Sequence, residues 1–493
     1  MTNAPQSELD PREPADDPRR SGQSLPDAQH LVPDAQHSLP DAQHEARREA
    51  GADTGAEGGG LALLRNVSFW GVTVTQFLGA FNDNVYKQLL LLLFVKVPEP
   101  GGGTRDLQWV ALLMFSLPFV LFSGYAGYLS DRNSKRTVMK LCKLAEVAIM
   151  ALAVLAFLGW GHWGWNLGIM TVLCLLLFGM GTHSAFFGPG KFGILPELFS
   201  GGDLPRANGI VLSSTFIAII LGGMLGSIFK ETLGTELWIA GCVCVLIAVF
   251  GSISVLYVRP TPAMAPQLKF HISMLAIPED IMHLLRRDRP LYRALVASSI
   301  FWISAALVQP SIIALGKLQL QEGDIRTGYL VTVVSIGIAV GSALTGAISA
   351  RGFGLLMQRL GAWGMVVTLA SLAIPFGARQ HLLGYWGSLA ALTLLGVATG
   401  MFAVPLQVFV QSRPPEGQKG RMIATQNLMN WIGIFLSTGI YAVGNQLLVW
   451  LNLPGNGMFA LTAVTMATVA IGFRPILPHA PNERPANDSG ADP

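Results

Sequence analysis

The stretch Phe77 to Phe94, FLGAFNDNVYKQLLLLLF, has the apolar character of a membrane-spanning helix, yet Asp83 and Lys87 stand near its middle with Asn82 and Asn84 beside the acid. A charged side chain at bilayer depth costs about 2.5–3.5 kcal/mol on insertion scales, and such residues face a bundle interior or a cavity. Asp83 and Lys87 are four apart on one helical face, a spacing that suits an ion pair. Two readings follow: a structural pair facing the bundle, or a cavity-lining cluster that meets a polar headgroup or couples an ion. The flanking asparagines supply hydrogen-bonding capacity that a simple pair does not need, which favours the cavity. Glu146 is a second deep carboxylate, with Lys143 on the same helix to neutralise it. Further along, Arg421 is placed to anchor a loop, while Asn427 and Asn430 either reach the cavity or join helices.

The elements that must position these residues follow from composition. The chain of 493 residues is 51% hydrophobic and 13% charged, against roughly 25% charged in soluble domains. It cannot cover a water-facing surface. Long apolar runs recur from about Val67 to Pro475 between short polar loops, the pattern of an all-α polytopic membrane protein. The net charge of +3 is spread over loops rather than gathered with aromatic residues, which argues against a nucleic-acid partner. Cys142, Cys174, Cys242 and Cys244 lie inside apolar runs and suggest neither a metal site nor a disulfide framework. No cofactor is called for: a Gly-rich phosphate loop is missing, which argues against nucleotide-driven pumping. The polar first 60 residues do not read as a secretory signal peptide.

About twelve spans are expected, in two sets of six: residues 66–258 and 291–476, joined by a loop at 259–290. Within that loop, PEDIMHLLRRDRP has Pro278 at a helix start, acids in its first turn and bases in its last, the mark of a short amphipathic helix on the membrane surface. Residues 1–65 and 477–493 are expected to be disordered tails. The first carries a seven-residue unit repeated three times, whose Pro26, Pro33 and Pro40 exclude a coiled coil. Loose metal binding by His30, His37 and His44 explains less than duplication of a flexible tail. Arg132, Lys135, Arg136, Lys140 and Lys143 gather around the second loop, and six arginines or lysines from Arg259 to Arg293 around the sixth. Loops three and eleven have none, so both termini are expected in the cytoplasm. A weak echo relates the segment between spans four and five to that between spans ten and eleven, as parallel six-helix repeats require. Gly222 with Gly226, and Gly337 with Gly341, each form a small-residue face for close helix approach in spans five and eight.

GYAGYLSDRNSKR, Gly124 to Arg136, resembles the loop between spans two and three of the major facilitator superfamily: Gly127, Asp131, Arg132, Lys135 and Arg136 fill its pattern, with Ser134 where glycine is usual. The resemblance implies a twelve-helix fold in two six-helix halves and gives Gly127, Asp131, Arg132 and Arg136 the part of a conformational latch. FLGAFNDNVYKQLLLLL, AFFGPGKFGILPEL with ANGIV, and GRMIATQNLMN are similar to the bacterial lysophospholipid transporter branch. That likeness covers most of residues 66–475. It implies transport roles for Asp83 and Lys191, and it marks Arg293 as a family basic residue. On position alone Lys191 is equally a snorkelling loop lysine. The expected activity is not enzymatic: lysophospholipid, lysophosphatidylethanolamine by resemblance, is flipped across a bacterial inner membrane towards a separately encoded acyltransferase. The alternatives are a drug or metabolite antiporter with Asp83 as its proton site, and a non-transporting membrane scaffold. HLLRRD, His283 to Asp288, has the spacing of an acyltransferase motif, but its loop is too short for a catalytic domain.

Overall fold

The computed structural model describes residues 63–99, 102–199, 204–271, 277–348, 354–376, 380–415 and 418–472. The N-terminal repeats and the C-terminal tail lie outside them. Twelve long helices run through the described residues: α1 (Val67–Phe94), α2 (Gln108–Arg132), α3 (Lys135–Trp163), α4 (Leu167–Gly193), α5 (Leu204–Leu233) and α6 (Trp238–Ser254), then α7 (Arg289–Ala314), α8 (Asp324–Ile348), α9 (Gly354–Ala373), α10 (Gly384–Ser412), α11 (Lys419–Trp450) and α12 (Gly457–Gly472). Ten are long and apolar enough to cross a membrane; α12 is apolar but shorter, and in α1 the Asn82-Asp83-Asn84 triplet with Lys87 and Gln88 dilutes the hydropathy.

Local chemistry sets where the helices begin. The Asn66 side chain caps α1 by accepting from the Ser68 and Phe69 amides, Asn166 caps α4 through the Ile169 amide, and Asp288 caps α7 through the Leu291 amide. Pro290 in the first turn of α7 reinforces the last of these. The segment Glu279–Arg287 is a short helix ahead of α7, with Ile281 and Leu285 buried beneath it.

The helices are turned apolar side out. On α3, Leu141, Leu144, Leu152 and Leu155 are exposed, whereas Lys143 and Glu146 on the opposite face are buried. In water this arrangement is unfavourable; in lipid it is required, because only the bundle interior offers polar partners.

In the first half α1 packs on α5 and α6, α2 on α4, and α3 on α4 and α6; in the second, α7 packs on α11 and α12, α8 on α10, and α9 on α10 and α12. The halves meet through α5 with α8 and α2 with α11. Spans five and eight therefore do meet, but not on their glycine pairs. A Cβ on Gly222 or Gly226 would lie 2.4 or 2.8 Å from the Phe81 or Val85 carbonyl of α1, and one on Gly337 or Gly341 would strike the Thr393 or Val397 carbonyl of α10. These four close approaches thus lock helices inside each half, whereas α5 and α8 approach each other at Gly328, where a Cβ would lie 2.6 Å from Ser227 Oγ.

A repeat relation is visible in the polar contacts. Gln76 is the tenth residue of α1 and bonds the Val211 carbonyl and Thr215 hydroxyl, the eighth and twelfth residues of α5. Ser298 is the tenth residue of α7 and bonds the side chains of Gln426 and Asn430, the eighth and twelfth of α11. The same helix pair is pinned at the same height in both halves.

Candidate functional site

Asp83 lies on the fifth turn of α1, and its neighbours come from α3 and α4. The Ser184 hydroxyl donates to Asp83 Oδ2, while Oδ1 has no hydrogen-bond partner among the described residues. His183 Nδ1 is 4.0 Å from Oδ1 and bonds the Met180 carbonyl at 2.8 Å; its Nε2 is 3.2 Å from Glu146 Oε2. Glu146 in turn accepts from Lys143 Nζ at 2.6 Å and from Asn82 Nδ2 at 2.8 Å. Asn82 also reaches the Cys244 carbonyl of α6 at 3.2 Å. One connected polar chain therefore runs from Lys143 through Glu146, His183 and Ser184 to Asp83, inside the first half.

Backbone shape makes room for it. A Cβ on Gly79 would come within 2.6 Å of Lys143 Nζ, and one on Gly251 within 3.2 Å. Glycine on α1 and on α6 thus frames the slot that the Lys143 ammonium occupies, beside the Phe187 ring at 5.5 Å. Lys191, at the far end of α4, is within coulombic reach of Asp83 and of Lys143.

The residues singled out in the sequence do not all converge here. Asp83, Asn82, Glu146 and Lys191 do. Lys87 does not pair with Asp83: its ammonium lies over the Phe115 ring of α2, 5.3 Å from the centroid. The Asp83 carboxylate is turned to α4, and successive helix turns do not bring the two charges within 4 Å. Asn84 bonds back to the Ala80 carbonyl of its own helix at 2.7 Å, and its Cβ packs beside Gly222 of α5. Arg293 and Asn427 are exposed, on α7 and α11 in the second half. Asn430 is buried and accepts from Ser298 at 3.0 Å.

The latch residues stay within the first half and the linker. Arg132 lies against Tyr128, Arg136 donates to the Leu256 carbonyl at 2.7 Å, and the Asp131 carbonyl accepts from the Ala265 amide at 2.9 Å. Gly127 borders open space. Lys135, next to them, pairs with Glu197 after α4. In the second half Arg413 and Arg421 pair with Asp288 and Asp280 of the linker.

Contacts between the halves gather at the opposite end of the bundle. Tyr441 of α11 donates to Asp106, just before α2, at 2.7 Å, and the Gln108 amide reaches the Pro310 carbonyl of α7 at 3.2 Å. Gln88 of α1 links Ser227 of α5 to Gln309 of α7, both at 3.2 Å. Glu231 accepts from the Ile325 amide at 2.7 Å, an acid on the N-terminus of α8. Nearer mid-membrane, Phe119 and Trp431 stack with centroids 3.6 Å apart. Burial pushes the Asp106 carboxyl above the usual range, against the hydrogen bonds it accepts from Gln108 and Tyr441.

His183 and Ser184 escape a reading of the sequence, because a His-Ser pair inside an apolar run has no periodic signal of its own. The available hint is a histidine within two turns of GPGK. Among the described residues no group of three or more His, Cys, Asp or Glu is placed to hold a metal ion.

The chain is 29% identical over 421 residues to the lysophospholipid transporter LplT of Escherichia coli strain CFT073, covering 83% of this chain and 98% of that protein. The protein of the same name from strain K12 aligns equally. Among solved structures, a mutant form of the nucleoside transporter NupG superposes with a TM-score of 0.62 at 12% identity, over 82% of this chain and 98% of its own. The human organic anion transporter MFSD10 gives 0.56 at 17%, over 80% and 99%. At such identities these two speak for the fold alone. The sequence pattern of the Major Facilitator Superfamily matches residues 74–438. With twelve helices in two halves, the chain belongs to the major facilitator superfamily of membrane transporters.

Proposed function

We propose that this protein flips lysophospholipid, lysophosphatidylethanolamine foremost, across a bacterial inner membrane by alternating access, for reacylation by a separate acyltransferase. The carrying observation is the Asp83 carboxylate: held by Ser184 through one oxygen, with the other unbonded among the described residues, inside a helix bundle. That buried oxygen without a hydrogen bond suits a primary ammonium, and Lys191, within coulombic reach, suits the neighbouring phosphate. Similarity to proteins named lysophospholipid transporters over nearly their whole length supports the cargo class.

Basic residues around the second and sixth loops support a cytoplasmic position for those loops and for both termini. On that orientation the bonds of Asp106, Gln108, Gln88 and Glu231 hold the outer side together, which supports an inward-facing reading of the bundle. The Asp131 to Arg136 latch, engaged among the described residues within its own half and the linker, closes the cytoplasmic side in the alternate state.

The test is uptake of labelled lysophosphatidylethanolamine by cells with and without the protein, followed by its reacylated product. Uptake should require the protein and fall at least about tenfold in Asp83→Asn and in Lys191→Ala, the loss of roughly one charge-assisted bond each. Dye efflux without lipid uptake points to the antiporter; unchanged uptake in both variants overturns the residue roles.

A further inference from the structure

On the outside of the first half, where α1 begins and α6 ends, the two helices leave a groove of about 270 Å³ with an apolar lining. Val67, Trp70 and Val74 of α1 line one side, Ser254 and Tyr257 the other, and Arg65 stands at the mouth. The helices touch at Gly71, where a Cβ would lie 3.0 Å from Val258 Cγ2 and 3.2 Å from the Ser254 carbonyl. The Thr75 and Ser254 hydroxyls, 2.7 Å apart, join them again. Successive residues turn by about 100° around a helix, so Val67, Trp70 and Val74 lie roughly opposite Asp83 on α1. They are exposed, as is Tyr257, and the groove faces away from the polar chain of the transport site.

The charges at the mouth select the occupant. The Arg65 guanidinium has no hydrogen bond or ion pair among the described residues, and no acid lines the groove. Two more arginines are bound close by, to main-chain carbonyls rather than to carboxylates. Arg136 donates to the Leu256 carbonyl, next to Tyr257, at 2.7 Å, and its Nε is buried without a partner. Arg259 donates to the Leu198 carbonyl at 2.7 Å, while its amide bonds Ser68 of α1. Glu197, whose carbonyl Arg259 also meets, gives its carboxylate to Lys135. This end of α1 and α6 therefore carries positive charge that no acid in contact neutralises.

Trp70 and Tyr257 set its depth. Both are exposed rings on either side of the groove, and the Trp70 indole donates to the Leu64 carbonyl at 2.7 Å, so its polar edge is turned to the Arg65 end. Exposed tryptophan and tyrosine of this kind mark the level of lipid headgroups. We propose that the groove holds one anionic phospholipid of the surrounding leaflet, its phosphate on Arg65 and an acyl chain against Val67, Trp70 and Val74. A headgroup without an ammonium, as in phosphatidylglycerol, suits a mouth without acids; the ammonium of phosphatidylethanolamine finds no carboxylate among the lining residues. The lipid is resident rather than cargo. It bridges the start of α1 to the end of α6, where the linker leaves the first half, and it braces that junction. The site stands apart from Asp83 and does not rest on the transport reading.

The experiment uses the full chain in detergent, titrated with phosphatidylglycerol or with phosphatidylethanolamine of the same acyl chains, and counts retained lipid by native mass spectrometry. Wild type should retain one phosphatidylglycerol at a lower lipid concentration than phosphatidylethanolamine, and its unfolding midpoint should rise with it. Arg65→Gln should weaken that retention about fivefold or more, the worth of one basic residue at a charged lipid surface. Val74→Trp fills the groove but keeps Arg65, and should weaken retention of both lipids. Arg65 and Val74 are exposed, so without lipid both variants should unfold where wild type does. Equal retention of the two lipids, or retention unchanged in Arg65→Gln, overturns the proposal. A second readout needs no variant: phosphatidylglycerol with a photoactivatable acyl chain, in vesicles of phosphatidylethanolamine, with the crosslinked peptides mapped. Crosslinks gathered on residues 67–74 and 254–257 and unmoved by excess lysophosphatidylethanolamine sustain the site. Crosslinks absent from those segments overturn it, and displacement by lysophosphatidylethanolamine overturns it too, by making the groove a cargo site. Neither readout measures transport, so a failed transport reading leaves the outcome standing.

Discussion

Tyr441 and Asp106, 335 residues apart in the chain, are joined by a 2.7 Å hydrogen bond that ties α11 of the second half to the entrance of α2 in the first. The bond is buried, and the same carboxylate accepts from the Gln108 amide at 2.9 Å. On the alternating-access reading proposed above, it is a fastener between two bodies that must part. Removing it in Tyr441→Phe costs about 1.5–3 kcal/mol of closure on that side, the range for bonds to charged groups. The expected outcome is roughly tenfold or greater gain in thiol labelling of a cysteine placed at Gln309, with little change in folding stability.

The same carboxyl gives the closed side a pH dependence. Burial raises the Asp106 carboxyl in the closed state, whereas opening hydrates it and returns it to the ordinary range. The closed state therefore binds its proton more tightly. Closure is favoured fully below the ordinary carboxylate pKa, and that advantage is lost as pH rises through the raised one. Labelling at the Gln309 position should increase with pH across the acidic range, and Asp106→Asn should flatten the curve. An increase on acidification instead would contradict the burial argument.

Gly79→Ala should destabilise the protein by about 1–3 kcal/mol, the usual range for overpacking, because the new methyl would meet Lys143 Nζ at 2.6 Å. Gly127→Ala borders open space and should leave the thermal unfolding midpoint in place. Midpoints measured in detergent for the two variants side by side decide whether the lysine slot is as tight as its geometry.

Glu146→Gln leaves the Lys143 ammonium buried without its carboxylate, a loss of roughly 3–5 kcal/mol for a broken buried pair. Lys143→Met with Glu146→Gln removes both charges and should recover much of that stability.

Apolar runs, loop composition and helix caps are local properties, and they suffice for twelve membrane helices in two halves, for the depth of Asp83 and for Lys143 as neighbour of Glu146 three residues on. Lys87 shows the limit of such reading. A spacing of four puts it on the same face as Asp83, but the face is broad, and packing sends the carboxylate to Ser184 of α4 and the ammonium to Phe115 of α2. Gly222 and Gly337 show it again: their small size is plain in the chain, their partners α1 and α10 are not. Helix period and hydropathy act over neighbouring residues, so the helices and the charges each one carries are written in the order of amino acids. That His183 bridges Asp83 and Glu146, and that Tyr441 finds Asp106, came from packing instead. Such pairings depend on how far each helix is rotated about its own axis, and that rotation is set by where another helix can approach most closely.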